Sequence, residues 1–456
     1  MSLGGPAVGK NAPMGWAYLT VSINGAMYTL NAFKPRRGTA FLFFWGFFAS
    51  WLTIELAPFH LIWQIVATGL FARKGAFKTT PGKVGLAITV ASWVGLAVSI
   101  RESFNARREI REALRDLEGG EFADTPLPVK IERGVQFGRV TGKNLKLDVH
   151  RPATPVEPGT LRPALVQIHG GGWVLGFKAF QGHLLMNRMA KRGWVCFNVD
   201  YRLSPGATWP DHLVDVKRAI AWIREHADAY SVDPDFIAVT GGSAGGHLTA
   251  LTALTQNDPE FQPGFEDADT TVAAAAPFYG VYDVTNRNGA SPPNMERVLM
   301  APLVMKADLV DAPEAYASAS PIDQVKEAPP FFVIHGSVDI LAPVQDARSF
   351  VEELREASEQ PVYYLELHGA QHAFDTFTSI RSNAVVESAA RFLEAVYQAY
   401  VQAEGDVAEA EDVVEAVSEG LGEELADELI DAEGEPDLSD SDDAADSNEP
   451  VSESVD

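Results

Sequence analysis

The sequence predicts an α/β protein with a mostly parallel sheet covered by helices on both faces, preceded by transmembrane helices. Three observations carry that expectation. Short apolar runs at 164–168, 195–199, 236–240, 331–335 and 362–367 alternate with helical stretches such as 213–227 and 384–400. That alternation buries a parallel sheet between helices. Two of the runs end in glycine-rich turns, and the first hundred residues hold two long apolar runs. With 456 residues the chain has room for one large domain plus extensions, and 126–402 alone can bury a sizeable core. No internal repeat is present.

The run 164–168 leads into His169-Gly170-Gly171-Gly172-Trp173, and 236–240 leads into Gly241-Gly242-Ser243-Ala244-Gly245. The second string is Gly-x-Ser-x-Gly, a strained strand-to-helix turn that lifts a serine oxygen above a parallel sheet. Glycines are needed there because a Cβ on either side of the serine would clash. Residues 244–251 read as the following helix, whose first turn offers unpaired N–H groups and a positive dipole end. The glycines after His169 present bare backbone N–H groups, the means of holding the oxyanion that forms when a serine attacks a carbonyl. Either string alone is weak; in this order and context they predict an acyl-transfer site.

A serine hydroxyl is a poor nucleophile at neutral pH and needs a base, which in turn needs a carboxylate to hold its tautomer. Downstream, the run 331–335 is followed by Asp339, and 362–367 is followed by His372. Ser243, His372 and Asp339 are therefore the expected nucleophile, general base and orienting acid. His368 is a second candidate base, although its place at a strand end suits a structural role. His247 lies one turn down the helix after the serine, and His169 is better suited to bracing its loop. Asp346 could replace Asp339 but falls in the next helix. His368 and His372 have no helix and no third ligand beside them, so neither metal nor cofactor is expected. Cys196, the one cysteine, sits in the run 195–199 and reads as core.

With these residues in hand, the chain resembles the hormone-sensitive-lipase-like branch of the α/β-hydrolases, a family of carboxylesterases and lipases. The likeness rests on His169 to Trp173, Asp200-Tyr201-Arg202-Leu203-Ser204-Pro205, Gly241 to Gly246, Asp339 and His372-Ala373-Phe374, and spans about 125–400. It implies an α/β-hydrolase fold and an oxyanion hole made by the N–H groups of Gly171, Gly172 and Ala244, with 201–202 structural. The expected substrate is a small-molecule or lipid ester, cleaved through an acyl-enzyme. An acyltransferase on the same triad, or a binding protein that keeps the fold without the chemistry, are the alternatives; the complete triad speaks against the last.

The N-terminal part departs from the family's short soluble cap. Residues 41–70 contain only Glu55, Pro58, His60 and Gln64 as strongly polar or helix-breaking members, and 84–100 carry no charge. A straight helix of thirty residues would run about 45 Å, beyond the ~30 Å hydrocarbon core, so Pro58 is expected to kink or split it. The sequence thus divides into 1–38, a membrane anchor at 39–100, an amphipathic linker helix at 101–125, the catalytic domain at 126–402 and an acidic tail at 403–456. In the linker, Phe104, Ile110, Leu114 and Leu117 share one face and arginines line the other, as in a helix at an anionic membrane surface or capping the domain. Gly119-Gly120 is the expected end of that helix. Basic residues flank the runs at Lys34, Arg36 and Arg37, at Arg73, Lys74, Lys78 and Lys83, and at Arg101, Arg107, Arg108, Arg111 and Arg115. Two crossings place the catalytic domain in the cytoplasm by the positive-inside rule, whereas a re-entrant first run places it outside.

The tail explains the net charge. Residues 404–456 contain 22 Asp and Glu and no Lys or Arg, so the remainder carries only −4 of the total −26. From Gly434 on, composition predicts disorder. Val413, Val417, Leu421, Leu425 and Leu429 are spaced four apart, so 407–430 reads as an acidic amphipathic helix, either part of a solvating tail or a docking segment for a protein partner. Nothing forms a basic footprint, which excludes a nucleic-acid binder.

Overall fold

A computed structural model describes residues 11–35, 40–122, 125–155, 157, 159–179, 181–292 and 295–432, with side chains for all of these but 40–45 and 408–432. The basic residues Arg36 and Arg37, the acidic end from Gly434 and the side chains of Val413, Val417, Leu421, Leu425 and Leu429 lie outside the described residues. Two compact units are formed, Met1–Gln398 and Ala399–Asp456.

The first unit opens with four helices: α1 (Ala12–Phe33), α2 (Ala40–Glu55), α3 (Ala57–Arg73) and α4 (Thr80–Ala113). Helix α1 falls in a stretch whose Gly, Ser, Thr and Asn residues hide its helical period; it contains no charged residue. Its burial is inverted relative to a water-soluble helix. Tyr18, Ser22 and Thr29 are buried, while Trp16, Met27 and Leu30 are exposed. The buried groups join a polar seam between helices. Tyr18 donates to Thr89 Oγ1 at 3.1 Å, Thr89 to Ser22 Oγ at 2.9 Å, and Gln64 Nε2 to Ser92 Oγ at 3.0 Å. Small residues let these backbones approach: a Cβ on Gly85 would lie 3.1 Å from Leu19 Cα.

One helix, Thr80–Ala113, is long and apolar enough to cross a membrane; Gly46–Glu55 and Ala57–Arg73 pass the same test only together, as a pair bent by 91°. Pro58 stands in the first turn of α3, where its missing N–H costs nothing, and the break falls at Leu56. Such a bent pair is either a broken span or a re-entrant loop, the two arrangements on which the side of the catalytic domain turns. Residues 101–125 do not form a helix of their own. Helix α4 runs unbroken to Ala113, then Leu114 and Leu117 turn inward and are buried. Glu109 accepts from the His368 amide at 3.2 Å, and Arg391 donates to the Leu117 carbonyl at 3.2 Å. Gly119 and Gly120 adopt left-handed conformations beyond this helix end rather than capping it.

The catalytic part begins with β1 (Val129–Val140), β2 (Lys143–Pro152) and β3 (Arg162–Ile168), followed by α5 (His183–Ala190) and β4 (Val195–Val199). Next come α6 (Asp211–Glu225), α7 (Ala227–Tyr230), β5 (Val232–Gly242), α8 (Ala244–Leu254) and β6 (Ala274–Phe278). After α9 (Pro313–Ser318), the chain closes with β7 (Phe331–Gly336), α10 (Val344–Ala357), β8 (Val362–Leu367) and α11 (Ile380–Ala432). The eight strands form one sheet in the order β1-β2-β4-β3-β5-β6-β7-β8. From β4 to β8 every pairing is parallel; β2 joins β1 and β4 antiparallel. The central strands are buried along their whole length, as continuous apolar runs covered on both faces must be.

Helix α2 is tied to the start of α11 by a buried ion pair. Arg381 Nη1 lies 2.8 Å from Glu55 Oε1, and Ser379 Oγ donates to Glu55 Oε2 at 3.0 Å. Glu55→Gln would leave the guanidinium buried without its counter-charge, with an expected loss of about 3–5 kcal/mol. Thermal unfolding of the full chain in detergent should register this as a lowered midpoint; an unmoved midpoint would show that the pair does not hold α2.

Candidate active site

Ser243 stands between β5 and α8 with φ 61° and ψ −123°, the strained conformation that raises its Oγ off the sheet. Its amide donates to Phe278 O at 3.0 Å and its carbonyl accepts from His247 N at 2.9 Å, so the backbone is fixed from both sides. A Cβ on Gly241 or Gly245 would overlap the Ile168 carbonyl, and one on Gly170 would overlap Gly242 O. The turn after β5 and the turn after β3 are therefore in backbone contact.

His372 lies on the loop after β8 and Asp339 on the loop after β7. Ser243 Oγ and His372 Nε2 are 2.8 Å apart, and His372 Nδ1 and Asp339 Oδ2 are 2.6 Å apart. Asp339 Oδ1 accepts the amides of Leu341 and Ala342 at 2.8 and 2.9 Å, which aims the other oxygen at the imidazole. With Asp339 as acceptor, Nδ1 carries the proton and Nε2 is free to accept from the serine. All three expected residues thus meet in one line of hydrogen bonds.

Gly171 and Gly172 adopt φ values of 125° and 60°, open to glycine. Among the described residues, none of the N–H groups of Gly171, Gly172 and Ala244 donates to a protein acceptor. The loop is braced from beneath. Gln181 Oε1 accepts from Gly170 N at 2.6 Å, Tyr201 Oη donates to His169 O at 2.9 Å, and the His169 ring stacks on Tyr201 at 4.4 Å. Burial holds the His169 imidazole below its ordinary pKa, which suits a neutral brace. Arg202 is bound to Asp215 and Asp211.

The competing residues are elsewhere. His368 is exposed, and its contacts are to Glu109 and Arg381. His247 is buried behind the oxyanion loop: Trp173 Nε1 donates to its Nδ1 at 3.2 Å, so its Nε2 donates to Ala319 O at 2.7 Å. Asp346 lies in α10 against Asn288, its carboxyl raised to about 6 by burial. Cys196 is buried in β4, where desolvation raises its thiol far above the ordinary value. Among the described residues no group of three or more His, Cys, Asp or Glu is placed to hold a metal.

Two features were not visible in sequence. Tyr279, whose ring centre is 4.7 Å from that of His372, donates a short hydrogen bond to Asp375, and both groups are pushed up by burial. The only hint was the placing of Asp375 three residues after His372. Helix α2 also packs beside His372; Glu55, a lone acid in an apolar run, was its signal, because such a charge needs a buried partner. Ser291, Pro292, Met295 and Met300 line a cavity of about 250 Å³ with Trp173 and Leu341.

The sheet, the elbow and the His- and Asp-bearing loops define an α/β-hydrolase. The BD-FAE family profile matches residues 147–354. The probable carboxylic ester hydrolase LipM of Mycobacterium tuberculosis is 39% identical over 412 residues, which cover 83% of this chain and 93% of LipM. That span is larger than 126–402, so the likeness extends beyond the hydrolase part. Esterase LipQ of the same organism is 48% identical over 260 residues, 56% of this chain and 60% of LipQ. A solved structure, the truncated form of a carbohydrate esterase from gut microbiota, shares the fold with a TM-score of 0.51 at 23% identity, covering 60% of this chain and 99% of that one. The chain belongs to the carboxylic ester hydrolase family that includes LipM.

Burial lowers both His247 and His212 to about 4. In the unfolded chain these imidazoles titrate near 6.5. Between the two values the unfolded state binds more protons, so their contribution is intact above about pH 6.5 and is lost as pH falls toward 4. The thermal midpoint should drop across that window, and His247→Gln should reduce the drop. A midpoint flat from pH 6.5 to 4 would contradict the buried neutral histidines.

Proposed function

We propose that the chain is a membrane-anchored serine carboxylesterase of the hormone-sensitive-lipase-like branch, with Ser243 as nucleophile, His372 as general base and Asp339 as the group that holds and compensates the imidazolium. The observation that carries this reading is the unbroken hydrogen-bond line from Ser243 Oγ through both imidazole nitrogens to Asp339. Ser243 Oγ attacks the ester carbonyl while His372 Nε2 takes its proton. The oxyanion is held by the N–H groups of Gly171, Gly172 and Ala244, which lie on one strained loop and one helix start. His372 returns the proton to the departing alcohol, then activates water to release the acid and regenerate Ser243.

The anchor is assigned to 39–100 together with α1. Its support is the inverted burial of the helices, polar at their shared seam and apolar outside. Trp63, Val66, Leu70, Val94 and Val98 are exposed along α3 and α4. In water such a surface would drive association, whereas in lipid it needs no partner. The bilayer is the proposed partner of this part.

Ser243→Ala is expected to lower kcat for a soluble ester at least about 10³-fold, with the protein still folded. Steady-state kinetics of the full chain and the variant in detergent decide it. Turnover within tenfold of the parent would remove Ser243 from the mechanism.

A further inference from the structure

Helix α2 packs on α1, α3 and α4, yet it also touches the loops that carry His372 and Asp339. Phe47 presents its ring edge-on to the His372 imidazole, with centres 6.4 Å apart. It stacks on Trp51 at 5.7 Å and an interplanar angle of 10°, and Trp51 packs on Phe377 at 4.8 Å. Trp51 Nε1 donates to the carbonyl of Ala373, the residue after the histidine, at 3.0 Å. Gln371, the residue before it, donates to Ser50 Oγ at 3.3 Å. Together with the buried Glu55–Arg381 pair, these contacts fix α2 against the histidine loop from both sides of His372.

The same helix connects two apolar surfaces. On the inner side, Phe47, Trp51 and Ile340 form a cluster against which Leu341 packs, and Leu341 also lines the cavity of about 250 Å³ beside Trp173. On the outer side, Phe48 and Leu52 are 46% and 40% exposed, and past the bend the exposed surface continues through Phe59, Ile62 and Trp63 of α3. The oxyanion loop adds Leu175 and Phe177, 69% and 57% exposed. An anchor that served only to tether the enzyme would have no reason to spend two buried aromatics and a desolvated ion pair on the histidine loop.

We infer that α2 is the specificity-determining wall of the active site, with Phe47 and Trp51 as the residues against which the substrate's apolar chain lies. The ester is then delivered along α2 from the lipid-facing surface, so the preferred substrate is a bilayer-resident ester with a long apolar chain rather than a dissolved short one. This rests on the Ser243 reading above. Apolar contact distant from the scissile bond raises kcat/KM for chains long enough to reach it, by about tenfold for each 1.4 kcal/mol gained.

The test uses the full chain reconstituted in phosphatidylcholine vesicles, with 4-methylumbelliferyl oleate dissolved in the bilayer and 4-methylumbelliferyl butyrate in the water. The parent should favour the oleate by kcat/KM. Phe47→Ala should lower the oleate-to-butyrate ratio about tenfold, through loss of chain contact. Phe47→Trp, which enlarges the wall and keeps the core filled, should move the best chain length in a C4–C18 series toward shorter esters. An oleate-to-butyrate ratio unchanged within twofold in Phe47→Ala, or a chain-length optimum unmoved in Phe47→Trp, overturns the wall. Turnover of both esters that survives Ser243→Ala overturns the serine reading itself, a different result from loss of chain preference with serine-dependent turnover intact.

Discussion

The close passage of two backbones beneath Ser243 is the constraint on which the site depends. The turn that carries Ser243 runs against the end of β3 so tightly that neither Gly241 nor Gly245 could bear a side chain without meeting the Ile168 carbonyl. Gly170 meets Gly242 from the opposite direction. The serine turn and the glycine loop after β3 are thereby one object, and Ser243 Oγ cannot drift from that loop. Ser243 keeps a positive φ because β5, β6 and α8 all fix its neighbours through hydrogen bonds.

Around that junction the polar groups are arranged to hold position. Asp339 is held by two amides before it reaches His372. Tyr201, Gln181 and the His247–Trp173 bond hold the oxyanion loop from three directions. The N-terminal helices continue the same logic with the environments exchanged, since their hydroxyls and amides face each other and their aliphatic groups face outward. Helix α2 is where the two arrangements meet: its aromatic residues reach the histidine loop and its one carboxylate finds Arg381.

Much of this was legible in the sequence, for definite physical reasons. Strands β4 and β7 announce themselves as short apolar runs because both of their faces are covered, and β8 as an apolar run half-buried at the sheet's edge. The glycine turns after β3 and β5 are legible because only glycine fits there, and the meeting of Ser243, His372 and Asp339 follows from their each standing just beyond a strand end. Other parts were hidden. Antiparallel β1 and β2 have mixed faces, as exposed Lys130 and Lys146 illustrate, and carry no continuous apolar run. Helix α1 is masked by its small and hydroxylated residues, which serve a seam visible only with its partners. The continuation of α4 through the expected linker was hidden because its charged turns 107–112 read as a fresh start, and Gly119-Gly120 resembled an end. Within 46–55 only Glu55 signals a buried partner, and nothing local tells that the helix lies on a histidine more than three hundred residues away.

In the proposed reaction Ser243 becomes acylated by an ester that His372 helps to cleave. Mass spectrometry of the full chain, quenched within milliseconds of mixing with a slowly deacylating p-nitrophenyl ester, tests it most directly. One acyl group per chain is expected, carried on the peptide that contains Ser243 and absent in Ser243→Ala. An acyl group on any other residue, or ester turnover with no acyl-enzyme at any quench time, would contradict it.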